Sequence, residues 1–261
     1  MRLYFIRHGQ SQNNALWDNT GDSKGRSEDP ELTPKGHEQA RLLGEFIAAK
    51  DRAAREEMAA IQATLEGGRE VQKNGEAQQG GKEFKRDFFG FTHLYTSLMV
   101  RSVATASYVS RALNLCLTGW TEIHECGGIY LEDETGDFHG LPGKSRSYFS
   151  ENYRDLVLPE TLTENGWWNK PFEAYESRPI RAQQVLETLL ERHGKTDDQV
   201  AIVSHGGFYM ELMRVIFKIK EENSWFVMNN TAISRIDFRE NGEAALIYHN
   251  RTDHLPERLI T

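Results

Sequence analysis

The sequence predicts an α/β fold, a three-layer α/β/α sandwich with a mostly parallel sheet and an antiparallel edge. Short apolar runs alternate with helical patterns along most of the 261 residues. Two of those runs, "RLYFI" at the start and "VAIV" from Val200, end in the same way, at a histidine followed by glycine. Asn241-Gly242 between "AISRIDF" and "ALIYH" is a hairpin signal, which places an antiparallel pair near the C-terminus.

The first run reads as a buried strand. "LTPKGHEQARLLGEFIAA" follows as a helix capped by Thr33, with Pro34 at its first position and Ala40, Leu43 and Ile47 on its apolar stripe. Ala54, Met58, Ile61 and Leu65 continue the helical spacing until "GGREVQKNGEAQQGGK" removes all periodicity, so residues from about 50 to 90 read as an insertion with a mobile tip. "FTHLYTS" is the next strand and "LMVRSVATASYVSRALN" the next helix, with Val100, Val103, Ala104 and Tyr108 on one face and Arg101 in the first turn. A β-rich stretch then ends at Glu125 and a glycine pair. From about 128 to 176 the chain is rich in aromatics, glycine and proline, and this reads as a lid-like insertion over the site. Ser177 caps the helix "RPIRAQQVLETLLERHG", with Ala182, Val185, Leu186, Leu189 and Leu190 buried. The strand "VAIV", the helix "FYMELMRVIFKI" and the hairpin complete one domain over 1–261.

Composition narrows the function. Formal charge is −8, and the basic residues form no stripe of the kind that tracks nucleic acid. The start lacks a signal-peptide pattern and no apolar run is long enough for a membrane span, so a soluble cytoplasmic protein is expected. The two cysteines, Cys116 and Cys126, give no disulfide framework, and neither begins a C-x5-R phosphatase loop. The oligomeric state is left open.

In open α/β sheets, ligands bind at the carboxyl ends of the strands. Arg7-His8-Gly9 and Ser204-His205-Gly206-Gly207 both occupy that edge, Arg101 lies just past a third strand, and Glu125 lies past a fourth. Two arginines, two histidines and a carboxylate suit a phosphoryl group: the guanidinium forks match oxyanions, and a glycine after histidine admits a ligand close to the backbone. An imidazole can attack phosphorus while a carboxylic acid protonates the departing alkoxide. The residues alone do not tell His8 from His205, nor Glu125 from Glu122. Read singly, each histidine is a hydrogen-bonded structural residue and Arg101 a solvated one; only their joint placement points to chemistry. A metal site is the competing reading, but none of the nine histidines forms H-x-H or H-x-x-x-H, and two arginines repel a cation. No cofactor is called for.

With these residues set out, the chain resembles the histidine phosphatase superfamily, the phosphoglycerate mutase-like proteins. "RHGQSQNN", "ELTPKGHEQA", "TSLMVRSVATA", "HECGGIY" and "VSHGG" match that family's motifs in order. The resemblance implies His8 as the phosphorylated nucleophile. It further implies that Arg7, Arg101 and His205 hold the phosphoryl group, that Glu125 is general acid and base, and that Ser11, Asn14 and Gly206 lie around the phosphate. Gln10 departs from the acidic residue of the mutases. The lid segment "GLPGKSRSYF" carries only Lys144 and Arg146, expected to grip a second anion on the substrate. A hydrolase of a small phosphorylated metabolite is therefore favoured, with mutase or sugar bisphosphatase activity as runner-up. A catalytically silent phospho-ligand sensor is the alternative of another class.

Overall fold

Along β1 (Arg2–Arg7) successive side chains change face: Leu3 and Phe5 enter one apolar cluster, Tyr4 and Ile6 another. In the computed structural model, which describes residues 1–66, 88–220 and 223–261, β7 (Gln199–Ser204) divides in the same way. Its Val200 and Ile202 face one cluster, and Ala201 and Val203 the other. A strand buried on both faces needs a helical layer on each side. On one side α2 (Pro34–Glu66) and α3 (Val100–Leu113) supply Leu43, Ile47, Val103 and Val109. On the other, α5 (Ser177–His193) and α6 (Gly206–Phe217) supply Val185, Leu189, Leu212 and Met213.

Five more strands join β1 and β7: β2 (His93–Thr96), β3 (Leu117–Gly119), β6 (Leu156–Val157), β8 (Ile233–Phe238) and β9 (Ala244–Arg251). The seven-stranded order is β6-β3-β2-β7-β1-β8-β9. The first five run parallel, and β8 and β9 are antiparallel, as the Asn241-Gly242 turn requires. The sandwich is thus the one expected.

Local details depart from the sequence reading. A helix α1 (Gln12–Thr20), not anticipated, starts at Ser11, whose hydroxyl accepts the Asn14 N–H at 3.2 Å while the Asn14 side-chain oxygen accepts the Ser11 N–H at 3.1 Å. Ser177 is the first residue of α5 rather than its cap, and Leu190 is exposed because the buried stripe runs through Val185, Leu189 and His193 and leaves it on the flank. The buried face of α3 runs through Val103, Ala106 and Val109; Ala104 and Tyr108 are half-buried. Thr33 caps α2 as expected, accepting the Gly36 N–H at 3.0 Å. The helix continues to Glu66, but Met58 and Ile61 on its late stripe are exposed. At the base of this insertion the Asp51 carboxylate accepts the N–H groups of Phe89 and Gly90, both within 3.0 Å. The tip expected to be mobile, residues 67–81, lies outside the described residues.

The segment from 128 to 176 is more than a cover. It forms a small hairpin, β4 (Tyr130–Glu132) with β5 (Phe138–Gly140), then α4 (Arg146–Asn152) and the sheet-edge strand β6. Phe149, Leu162, Trp167 and Trp168 are buried in the core cluster of α2 and α3. Burial on that scale anchors the segment to the sheet. Among the described residues no helix is long and apolar enough to cross a membrane.

Candidate active site

Strand register brings the chemistry together. Arg7 pairs with Ser204 across β1 and β7, and Thr96 with Val203 across β2 and β7, so His8, His205 and Ser97 leave the sheet side by side. The His8 N–H donates to the Ser204 carbonyl at 2.9 Å, and the two imidazole rings lie 5.1 Å apart. A cavity of about 430 Å³ opens at this edge, with Arg7, His8, Arg101 and Glu125 in its wall together with Ser11, Asn14 and Gly206.

Hydrogen bonding fixes which nitrogen of His8 is available. Its Nδ1 sits 2.6 Å from the Gly9 carbonyl oxygen, which only accepts, so the proton is on Nδ1 and the lone pair on Nε2. The Arg101 Nε–H donates to that lone pair at 3.2 Å. Burial, then the charges of Arg101 and Arg7, hold the His8 pKa well below the ordinary histidine value. His8 is therefore neutral at pH 7, which suits a nucleophile. The amide and carbonyl around it are fixed as well: Thr105 accepts the Gly9 N–H, and the Asn230 amide donates to the His8 carbonyl.

His205 has the opposite arrangement. It is wholly buried beside the His8 ring, its Nε2 meets the hydroxyls of Ser97 at 2.9 Å and Ser102 at 3.2 Å, and its Nδ1 has no hydrogen-bond partner. A hydroxyl donating to Nε2 leaves the proton on Nδ1 as an unspent donor. Burial and Arg101 lower its pKa as well.

The two arginines are held by different means. Arg7 donates to the Met228 carbonyl, and its Nε has no partner. Arg101 stands in the first turn of α3, where the helix dipole disfavours a cation. Asp29 offsets this: its Oδ1 lies 3.7 Å from the guanidinium and accepts the Val100 N–H at 3.1 Å, capping a helix whose own preceding residue, Met99, gives no side-chain cap. Burial pushes the Asp29 carboxyl up to about 6, against the pull of Arg101.

The carboxylate in the wall is Glu125. It accepts the N–H groups of Cys126 at 2.8 Å, Phe208 at 2.9 Å and Gly207 at 3.2 Å, the last two at the start of α6. A Cβ on Gly207 would lie 2.5 Å from that carboxylate, so any side chain there would displace the acid. Glu122 is exposed and lines a separate cavity beside Trp168 and Arg181. Cys126 also lines the main cavity, but burial and the Glu125 charge raise its thiol pKa, which keeps it protonated.

Three expectations need correction. Gly9 does not serve ligand approach: a Cβ there would lie 2.6 Å from the Gly36 carbonyl, so the glycine admits the start of α2. Arg146 does not line the cavity, because its guanidinium donates to the carbonyls of Leu162 at 2.9 Å and Pro159 at 2.7 Å. Lys144 does not line it either; its ammonium stands 5.1 Å from the Tyr148 ring. The one group of metal-capable side chains among the described residues is His93, His193 and Asp198, with ligand atoms within 4.8 Å of one another. It lies where β2 and β7 begin, at the sheet edge opposite the cavity.

Comparison with known proteins shows the family and the fold. The family model described as histidine phosphatase superfamily (branch 1) matches residues 3–55 and 72–251, leaving out part of the insertion. The chain belongs to the histidine phosphatase superfamily. Similar solved structures include an Entamoeba histolytica phosphoserine phosphatase in complex with 3-phosphoglyceric acid, at 19% identity, covering 98% of this chain and 99% of that one, with TM-score 0.53. A mycobacterial glucosyl-3-phosphoglycerate phosphatase gives 16%, 95%, 98% and 0.54 for the same measures. The Shigella flexneri alpha-ribazole phosphatase gives 19%, 97%, 97% and 0.57. At such identities the likeness is one of fold. No curated protein sequence matches the chain.

Within this histidine phosphatase fold, Asp29 and Arg26 are site residues that sequence reasoning missed. Arg26 lines the cavity and donates to the Tyr130 hydroxyl at 2.8 Å. No spacing rule links residues 26 and 29 to 130 and 101; only the folded loop before α2 does.

Proposed function

We propose that this protein is a phosphatase that hydrolyses a phosphomonoester through a phosphohistidine on His8, without a metal. The observation that carries this reading is the pair of imidazoles: one presents an anchored Nε2 lone pair to the cavity, and the other keeps an unspent Nδ1–H beside it. His8 Nε2 attacks phosphorus as the bond to the leaving oxygen breaks, and Glu125 gives that oxygen its proton. Arg7, Arg101 and the His205 Nδ1–H balance charge on the non-bridging oxygens. Glu125 then takes a proton from water, the water oxygen attacks phosphorus, and phosphate leaves with the Nε2 lone pair restored.

Hydrolysis is favoured over a mutase reaction by the charges further out. A bisphosphorylated intermediate needs a second cationic clamp, and the outer wall offers Arg26 against Asp22 and Glu28. The test is to mix the protein with a phosphomonoester panel, quench without acid, and look for one phosphoryl group on the peptide containing His8. Hydrolysis that persists in EDTA supports the reading. Loss in EDTA with rescue by a divalent ion, or a phosphoryl group on another residue, overturns it.

A further inference from the structure

The mouth of the cavity is built for a ring. Trp17 on α1 and Trp225 before β8 both line it, yet 60% and 73% of their surface is open to solvent. Val227 beside them is 61% exposed, while Phe226 contributes to the same wall. Indoles left so open are unusual on a soluble surface, and two of them converging on one cavity indicate a surface that a ligand covers. In the same lining the Arg26 guanidinium lies 4.4 Å from the centre of the Tyr130 ring while donating to its hydroxyl, so the pair is held together as a flat surface. The carboxylates of Asp22 and Glu28 share this rim and oppose a second strong anion.

Resting on the phosphatase reading, we infer that the leaving group carries a flat aromatic or heteroaromatic ring, seated against Trp17 and Trp225, and no second phosphate or carboxylate. The cavity divides the labour: its floor takes the phosphoryl group, its rim takes the ring. Trp17 and Trp225 are then specificity-determining residues. The expected second-anion grip of Lys144 and Arg146 has no place in this arrangement.

The experiment compares 2-phenylethyl phosphate and 2-(indol-3-yl)ethyl phosphate with propyl phosphate and 3-phosphoglycerate, all releasing an alkoxide or carrying an alkyl ester, so that leaving-group chemistry is closely matched. Base-on-aromatic stacking energies translate into a ring advantage in kcat/KM of about 10- to 100-fold for the wild type. Trp17→Ala and Trp225→Ala each reduce that ratio, and the double variant brings it to about one; Trp→Phe at either position restores most of it. In parallel, His8→Ala is titrated with 2-phenylethyl phosphate and with propyl phosphate, and quenching of indole fluorescence reports binding. Ring-selective binding by His8→Ala with no turnover by the wild type overturns the phosphatase reading and leaves the ring site standing. Turnover with a ring ratio of one, a ratio unchanged in the double variant, or preference for 3-phosphoglycerate overturns the ring site and leaves the phosphatase.

Discussion

The two turns that close β1 and β7 share a His-Gly sequence but differ in almost every contact. His8 faces the cavity with its Nδ1 tied to the Gly9 carbonyl, whereas His205 is fully buried beside it with its Nε2 tied to two serine hydroxyls. Anchoring one nitrogen decides what the other can do: an Nε2 lone pair, met by the Arg101 Nε–H, in the first case, and an unpartnered N–H in the second. Their glycines differ as well. Gly9 yields to the backbone of α2, and Gly207 to the carboxylate of Glu125. A repeated motif thus supplies a nucleophile once and a donor once.

The largest expected effect breaks the first of these roles. His8→Ala lowers kcat by about 10⁴-fold or more and abolishes the phosphoenzyme, because the bond to phosphorus forms at its Nε2 and the Cys126 thiol in the same wall is held protonated. His205→Ala removes one charge-stabilising donor and costs about 10²- to 10³-fold, with phosphate still found on His8. Rapid-quench mass spectrometry of both variants checks the contrast, and equal loss of phosphoenzyme in the two would erase the distinction.

The glycines sharpen it further. Gly207→Ala pushes its methyl group into Glu125, and displacement of a proton donor by an ångström costs about 10²-fold, felt most with poor leaving groups. Gly206→Ala meets nothing closer than the Arg7 Nε at 3.7 Å, so its effect falls on KM, where a phosphoryl group approaches the helix start. Leaving-group series on both variants separate the two outcomes; a kcat loss in Gly206→Ala equal to that in Gly207→Ala would show that the acid is not what position 207 protects.

The floor of the site was legible in the sequence because strand ends bring fixed positions to one edge, and Arg7, His8, Arg101 and Glu125 each sit one or a few residues past an apolar run. The rim was not. Lys144 and Arg146 looked like a clamp because sequence shows charge without direction, and the backbone carbonyls that take Arg146 lie 13 and 16 residues away from it. Trp17 gave no signal in the sequence, because its helix has no buried residue to mark a periodic stripe. Residue spacing alone did not separate Glu125 from Glu122; the family resemblance did, and the start of α6 supplies the physical reason, since its N–H groups bond Glu125.

The smallest expected effect concerns Asp29, which supports one side of this arrangement from a distance. Its carboxyl is pushed up by burial to about 6 in the folded chain, against the ordinary aspartate value of 3.8. The folded chain therefore binds this proton at higher pH than the unfolded one, and the contribution of Asp29 to stability falls as pH rises from about 4 to about 6 and is fully lost above that. A shift of this size corresponds to about 1–3 kcal/mol. Asp29→Asn keeps an oxygen for the Val100 N–H but does not titrate, so the Tm of the wild type should rise relative to the variant as pH is lowered through this window. Activity should move the other way. Neutral Asp29 no longer balances Arg101 at the start of α3, so wild-type kcat/KM should decline below about pH 6, and this limb cannot belong to His8, whose pKa lies well below the ordinary value. In Asp29→Asn the limb disappears and kcat/KM is lowered about tenfold at pH 7.5, the cost of one charge-assisted contact. Tm and kcat/KM measured from pH 5 to 8 on both proteins check the two slopes together; a limb that survives in Asp29→Asn assigns it to another group and frees Arg101 from its dependence on Asp29.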